Sequence, residues 1–291
     1  MNTPEMYTIN RTTLTKVDPE YSLARGKVLD PRGLVCMFEP PNSRASYVMG
    51  IDPTVGITSW DRHYRTRDDY KTDNGAIEII RVGSHDGSRP DVQVCEYAAP
   101  IDPEDLADIA NILGRLYGGN SESGEALCVI EVYPGPGLLT FRKMFSQLGY
   151  ANHWQWRYLD SATPKLTSSF GWQSTPKSVR DLWIRGTRWI TRRSITLNSP
   201  YLAEELADCE ADQLKMTAKA AYGAHDDRVR ALLMAIWAAH DWDFQVEIDI
   251  QPLITQGPPV NWQATDISAT NMYSAWEDLW DQISQEGEMA R

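Results

Sequence analysis

Apolar residues along the 291-residue chain follow first a strand-like and then a helical rhythm. Tyr47-Val-Met-Gly-Ile51 is a continuous apolar run of strand length and reads as a buried strand. Ala76-Ile-Glu-Ile-Ile-Arg-Val82 and Val92-Gln-Val-Cys-Glu-Tyr97 alternate with a period of two, which predicts antiparallel neighbours. The segment 58–75 between the first two is rich in charge and aromatic residues and too long for a hairpin turn. Loops of that length often carry function.

The rhythm becomes helical after Asp102, a fitting N-cap followed by Pro103 at the first helical position. Leu106, Ile109, Ala110, Leu113 and Leu116 share one face, and Gly118-Gly119 ends the helix. Ala126-Leu-Cys-Val-Ile130 barely alternates, as expected of a strand covered on both faces. Further helices are expected over 138–148, 178–191, 200–211 and 225–239. Antiparallel strands followed by a helix and a parallel strand predict an α/β fold with a mixed central sheet flanked by helices. Residues 1–45 read as a lead-in packed on this domain with one or two short strands, residues 46–241 as the domain, and residues 242–291 as a tail. Tyr273, Trp276, Leu279, Trp280 and Ile283 in the tail have helical spacing and suggest a short amphipathic helix docked on the body.

A composition of 42% hydrophobic and 23% charged residues is that of an ordinary globular protein. The longest apolar run, 231–239, is too short to cross a bilayer, so no membrane association is expected. The first residues lack a basic-then-apolar signal pattern, which argues against secretion and for the cytoplasm. Cys36, Cys95, Cys128 and Cys209 are far apart with no CxxC pair, so reduced thiols are expected rather than disulfides or a zinc knuckle. The net charge of −12 weighs weakly against a nucleic-acid partner. Charge is polarised, however. Residues 177–193 hold Lys177, Arg180, Arg185, Arg188, Arg192 and Arg193 against Asp181 alone, whereas the segment after Asp241 is acidic.

Three acidic positions bear on chemistry. Asp52 ends an apolar strand, Glu131 ends another, and Asp226-Asp227 opens a strongly apolar helix. Each has a plain structural reading, as a turn former, a solvated strand end or a helix cap. Together they carry more weight, because clustered carboxylates repel one another and need a cation between them. Carboxylates are hard ligands suited to Mg²⁺ or Mn²⁺. Two such ions roughly 4 Å apart activate a water and stabilise the leaving oxygen of a phosphodiester.

Several segments resemble the nuclease domain of tailed-bacteriophage large terminase subunits, within the ribonuclease-H-like superfamily. Tyr47-Val-Met-Gly-Ile-Asp-Pro-Thr-Val-Gly56 is similar to that family's first catalytic strand, and Cys128-Val-Ile-Glu-Val132 to its second acidic strand. Phe170-Gly-Trp-Gln-Ser-Thr-Pro-Lys-Ser-Val-Arg180 resembles its Gly-Trp-x-Thr segment, and Asn198-Ser-Pro-Tyr-Leu-Ala-Glu-Glu-Leu206 its following helix. Gly223-Ala-His-Asp-Asp-Arg-Val-Arg-Ala231 is close to its Gly-x-His-Asp-Asp-x-Val-x-Ala signature, the most specific of these matches. The resemblance implies a ribonuclease-H-like fold and a two-metal endonuclease that cuts concatemeric double-stranded DNA during genome packaging. Asp52, Glu131 and Asp227 would be its metal ligands, with Asp226 sharing the metal site; the choice between Asp226 and Asp227 stays open. His225, Asp61 and Asp73 are accessory candidates.

Beside such a site, Lys177, Arg180, Arg185, Arg188 and Arg192 are candidates for phosphate contacts that position DNA without reading bases. Arg62, Arg65 and Arg67 form a second candidate patch. No GxxxxGK[ST] phosphate loop occurs, so an ATPase motor is expected on another domain or chain, with the portal and small terminase subunit as further partners in the host-cell cytoplasm. Rival readings are another ribonuclease-H-like nuclease such as a junction resolvase, a non-catalytic packaging or scaffold component, and an actin-like phosphotransferase. The last lacks a second glycine-rich phosphate loop.

Overall fold

A computed structural model describes residues 5–10, 13–16, 34–54, 73–84, 88–133, 135–159, 166–212, 217–221 and 224–240. The strands β1 (Glu5–Asn10), β2 (Thr13–Lys16) and β3 (Leu34–Met37) come first. They are followed by β4 (Tyr47–Asp52), β5 (Gly75–Arg81) and β6 (Asp91–Ala99). Next are α1 (Pro103–Leu116), β7 (Leu127–Tyr133), and α2 (Gly137–Arg142), which a π-helical turn Lys143–Gln147 continues. The chain goes on through β8 (Gln155–Leu159), β9 (Leu166–Phe170), β10 (Trp172–Gln173) and α3 (Pro176–Thr191). The last described elements are β11 (Ile195–Thr196), α4 (Pro200–Ala207), β12 (Cys209–Asp212), β13 (Thr217–Ala220) and α5 (Asp227–Ala239).

Among the described residues the main sheet has nine strands in the order β10-β7-β4-β5-β6-β3-β1-β2, with β11 also paired to β6. The pairs β4–β5 and β5–β6 are antiparallel, whereas β7 runs parallel to β4 and β10 parallel to β7. The fold is α/β with a mixed sheet and helices, as the patterning predicts. Residues 1–45 supply β1, β2 and β3, which extend this sheet beyond β6. The tail 242–291 lies outside the described residues.

Alternation within the central strands decides which helix covers which side chain. Tyr47, Met49 and Ile51 of β4, with Cys128 and Ile130 of β7, join Leu106, Ala110 and Leu113 of α1 in one core. Val48, Ile80 and Val129 point the other way and join Leu232, Leu233 and Ile236 of α5 with Leu182 and Trp183 of α3. A sheet covered on both faces needs apolar residues in both registers, hence the unbroken run at 47–51. Helix α1 begins where predicted, with the Asp102 carboxylate accepting from the Glu104 amide at 2.8 Å.

Helix α5 is buried from Asp227 to Ala238 except at Arg230. Such a helix is sandwiched, not amphipathic. It rests directly on β4: a Cβ on Gly50 would lie 1.9 Å from the Ala231 carbonyl oxygen. No helix among the described residues is long and apolar enough to cross a membrane. The four cysteines are buried and free.

Two predicted helices depart from their expected course. The one expected over 200–211 stops at Ala207, because Cys209–Asp212 pairs antiparallel with Thr217–Ala220. That ladder places Glu210 opposite Lys219, and buries Cys209 and Ala218 in the α5 core. Tertiary pairing here outweighs local helical preference. The helix expected over 138–148 keeps helical winding but loosens to the π turn after Arg142.

Glu78 and Glu96 stand directly opposite each other on β5 and β6, and both are almost wholly buried. Arg228 of α5 lies over them, its Nε 3.6 Å from Glu96 Oε2 and its Nη1 donating to Glu205 Oε1 at 2.6 Å. One guanidinium faces three buried carboxyls. Burial, with the Glu96 charge added, pushes the Glu78 carboxyl well above the usual carboxylate range, although Gln93 Nε2 donates to it at 2.8 Å. The folded protein therefore keeps a proton that the unfolded chain loses above about pH 4.3. Stability from this group is whole below that pH and declines as pH rises toward the elevated folded-state value, by about 1.4 kcal/mol per pH unit for each proton released. Glu78→Gln mimics the protonated acid and is expected to flatten the decline above about pH 5 in urea unfolding. An unchanged slope would mean that Glu78 is ionised in the fold.

Candidate functional site

Gly50 lies opposite Val129 and Ile51 opposite Ile130 in the parallel β4–β7 ladder. The next residues, Asp52 and Glu131, thus stand side by side at the strand ends. Both fall on the face toward α5, two positions beyond Gly50 and Val129, and they are only 7% and 8% exposed. The turn after Glu131 passes close behind it. Helix α2 starts at Gly137, where any Cβ would come within 1.6 Å of the Glu131 carbonyl oxygen.

The start of α5 completes the acidic group. Asp227 Oδ2 accepts from the Asn74 backbone amide at 2.8 Å and from its side-chain amide at 3.3 Å, which ties the helix start to the entry of β5. His225 Nδ1 lies 3.4 Å from the same oxygen and 4.0 Å from Asp73 Oδ1. The Asp227 carboxylate holds the His225 pKa above its ordinary value. Asp226, at the N-cap position, makes no capping bond, and its Oδ2 accepts from the Ala220 amide of β13 at 3.3 Å.

Arg230, one turn into α5, reaches both strand-end acids. Its Nε lies 3.1 Å from Asp52 Oδ2, and its Nη2 donates to Glu131 Oε1 at 2.5 Å and to Ser174 Oγ at 3.4 Å. Burial pushes the Asp52 carboxyl well above the usual range; Arg230 opposes this, while Glu131 and Asp227 add to it. Burial also acts to raise Glu131, but a hydrogen bond from Asp52, the Arg230 charge and Ser174 together hold it below the usual range. Burial and the facing groups thus push the two carboxyls in opposite directions, Asp52 up and Glu131 down.

These groups form the floor of an open cleft of about 1110 Å³ lined by Asp52, Asp73, Glu131, Asp226 and Asp227, with Lys177, Arg180 and Lys219 also on its wall. Thr175 caps α3, its hydroxyl accepting from the Ser178 amide at 3.2 Å. Lys177 and Arg180 sit in the first turns of that helix, where the helix dipole disfavours cations. Their placement does nothing for the helix; it puts positive charge beside the acidic floor.

The candidates on α3 do not all gather. Lys177 and Arg180 line the cleft, whereas the Arg185 guanidinium stacks on the Trp237 ring at 4.8 Å. Arg188 and Arg192 are exposed near the other end of α3, about 16–22 Å along the helix from Lys177. Asp73 is exposed at the cleft edge. Asp61, Arg62, Arg65 and Arg67 lie outside the described residues.

Arg230, Asn74, Ser174 and Lys219 were not singled out by sequence reasoning. Arg230 had a signal, because a residue three positions after Asp227 shares its helix face. Asn74 had none, being 153 positions from its partner. Among the described residues, no group of three or more His, Cys, Asp and Glu side chains is arranged to hold a metal ion as it stands. Compared with known proteins, the sequence matches no family model and no curated protein.

Proposed function

We propose that the chain is a divalent-metal-dependent endonuclease that cuts double-stranded DNA, built on a ribonuclease-H-like sheet and acting like the nuclease domain of a phage large terminase subunit. The observation that carries this reading is the meeting of Asp52 and Glu131, on adjacent parallel strand ends, with Asp227 at the start of a helix laid across them. The strand arrangement supports it: three antiparallel strands, β4 to β6, then β7 and β10 added in parallel on the other side of β4.

The donor set fits Mg²⁺ or Mn²⁺. It is made of hard carboxylate oxygens, and two of them already share a cation, the Arg230 guanidinium. Asp52, Glu131 and Asp227, with Asp226 beside them, would hold two ions. When bound, these ions lower the pKa of a water and offset charge on the leaving oxygen. Asn74 fixes the rotamer of Asp227, and His225 buttresses the same carboxylate. Lys177, Arg180 and Lys219 contact phosphates along the cleft and orient the scissile bond without reading bases. In this reading the substrate is a concatemeric viral genome in the host-cell cytoplasm. The portal, the small terminase subunit and an ATPase motor on another domain or chain are the partners.

The test is nicking of supercoiled plasmid. Cutting is expected with Mn²⁺ and not in excess EDTA; EDTA-resistant cutting, or none with any divalent ion, would overturn the reading. A Lys177→Ala/Arg180→Ala double variant is expected to raise the KM for DNA and to weaken its salt dependence by about two phosphate contacts, while kcat changes little.

A further inference from the structure

The placement of Arg230 is costly on local grounds. It sits in the first turns of α5, where the dipole disfavours a cation, and it interrupts a helix that is otherwise buried from Asp227 to Ala238. Its guanidinium spans the gap between two carboxylates on neighbouring strands, touching Asp52 Oδ2 and Glu131 Oε1 at once. Both oxygens belong to carboxylates that would hold the proposed ions. A lone pair directed at a guanidinium N–H is not available to a metal, and a divalent ion beside the guanidinium would meet its charge at short range.

We propose that Arg230 is a built-in competitor of the metal: it occupies the Asp52–Glu131 gap in the metal-free protein and is displaced when a divalent ion binds. This rests on the metal-site reading above and adds regulation to it. The guanidinium neutralises the acids during folding and raises the free metal concentration at which the site loads. Cutting is thereby held back until the divalent ion reaches that concentration. Once displaced, the side chain remains in the cleft, near Ser174, which its Nη2 already contacts.

Direct Mn²⁺ binding, read from the electron paramagnetic resonance of free Mn²⁺, tests the proposal without reference to activity. Arg230→Gln is expected to bind Mn²⁺ about tenfold more tightly than the unaltered protein, a coupling of ordinary size between competing sites. Asp52→Asn is expected to lose most binding. If Asp52→Asn binds like the unaltered protein, the metal-site reading falls first. If Asp52→Asn loses binding while Arg230→Gln gains none, competition is overturned and the site reading stands. Should Arg230→Gln fold poorly, ¹⁵N spectra of arginine Nε in the unaltered protein, with the Arg230 signal identified by its loss in Arg230→Lys, provide the second measurement. That signal is expected to shift as Mg²⁺ is added, with the midpoint of metal binding. A signal unmoved at saturating Mg²⁺ overturns the proposal.

Discussion

Asp52→Asn is expected to lower the plasmid-cutting rate by about 10³-fold or more while the protein stays folded, equivalent to about 4 kcal/mol of barrier. Asparagine keeps the size of the side chain and one of its oxygens but removes the charge that a hard cation needs. The loss should fall on kcat and on metal dependence, not on the KM for DNA, because the proposed phosphate contacts come from Lys177, Arg180 and Lys219 on the wall of the cleft. Stability should hold or rise slightly, since burial already drives the Asp52 carboxyl toward its neutral form. Circular dichroism and the cutting assay on one preparation separate the two effects. Cutting unchanged in Asp52→Asn would remove Asp52 from the chemistry and the proposed function with it.

Gly50→Ala is expected to destabilise the fold by about 3 kcal/mol or more, beyond the usual range for overpacking. The added methyl would meet the Ala231 carbonyl oxygen at 1.9 Å and the Ala235 amide nitrogen at 3.0 Å, both backbone atoms of a helix that cannot yield locally. The only relief is to lift α5 from the sheet. That exposes part of the core shared by Val48, Val129, Leu232 and Ile236, and moves Asp227 away from Asp52 and Glu131. Urea unfolding measures the first effect; a higher metal requirement in the surviving folded fraction measures the second. A change below about 1 kcal/mol would mean that α5 is not seated on β4 as described.

Much of the frame was legible because one-dimensional periodicity carries it. The apolar run at 47–51 predicts a buried strand, and Asp52 follows it by simple counting. The capped helix after Asp102 was legible for the same reason, its signal lying within a few residues. The short pairings were not. Nothing local announces that Cys209–Asp212 will leave a helix to pair with Thr217–Ala220, since that choice depends on a partner met only in three dimensions. The site divides in the same way. Asp52, Glu131 and Asp227 stand at element ends, which the pattern marks, and Arg230 shares a helix face with Asp227, whereas Asn74 acts through a partner 153 positions along the chain. Net charge says little about this cleft, because acids and bases sort onto different parts of it.

The position of α5 also has a consequence in time. Asp52 and Glu131 are made before the helix that brings Asp227 to them, which is the last described element of the chain. At ordinary translation rates the 175 positions from Asp52 to Asp227 take about 10–35 s to make. The sheet has to wait that long for the helix that covers one of its faces, and long-range closure of this kind is slow in itself. A ribosome-bound or truncated chain lacking α5 would carry two strand-end acids and nothing to complete them, and under the proposed function it would be inert toward DNA. The order of synthesis thus puts both strand-end acids in place before the helix that would complete the proposed site.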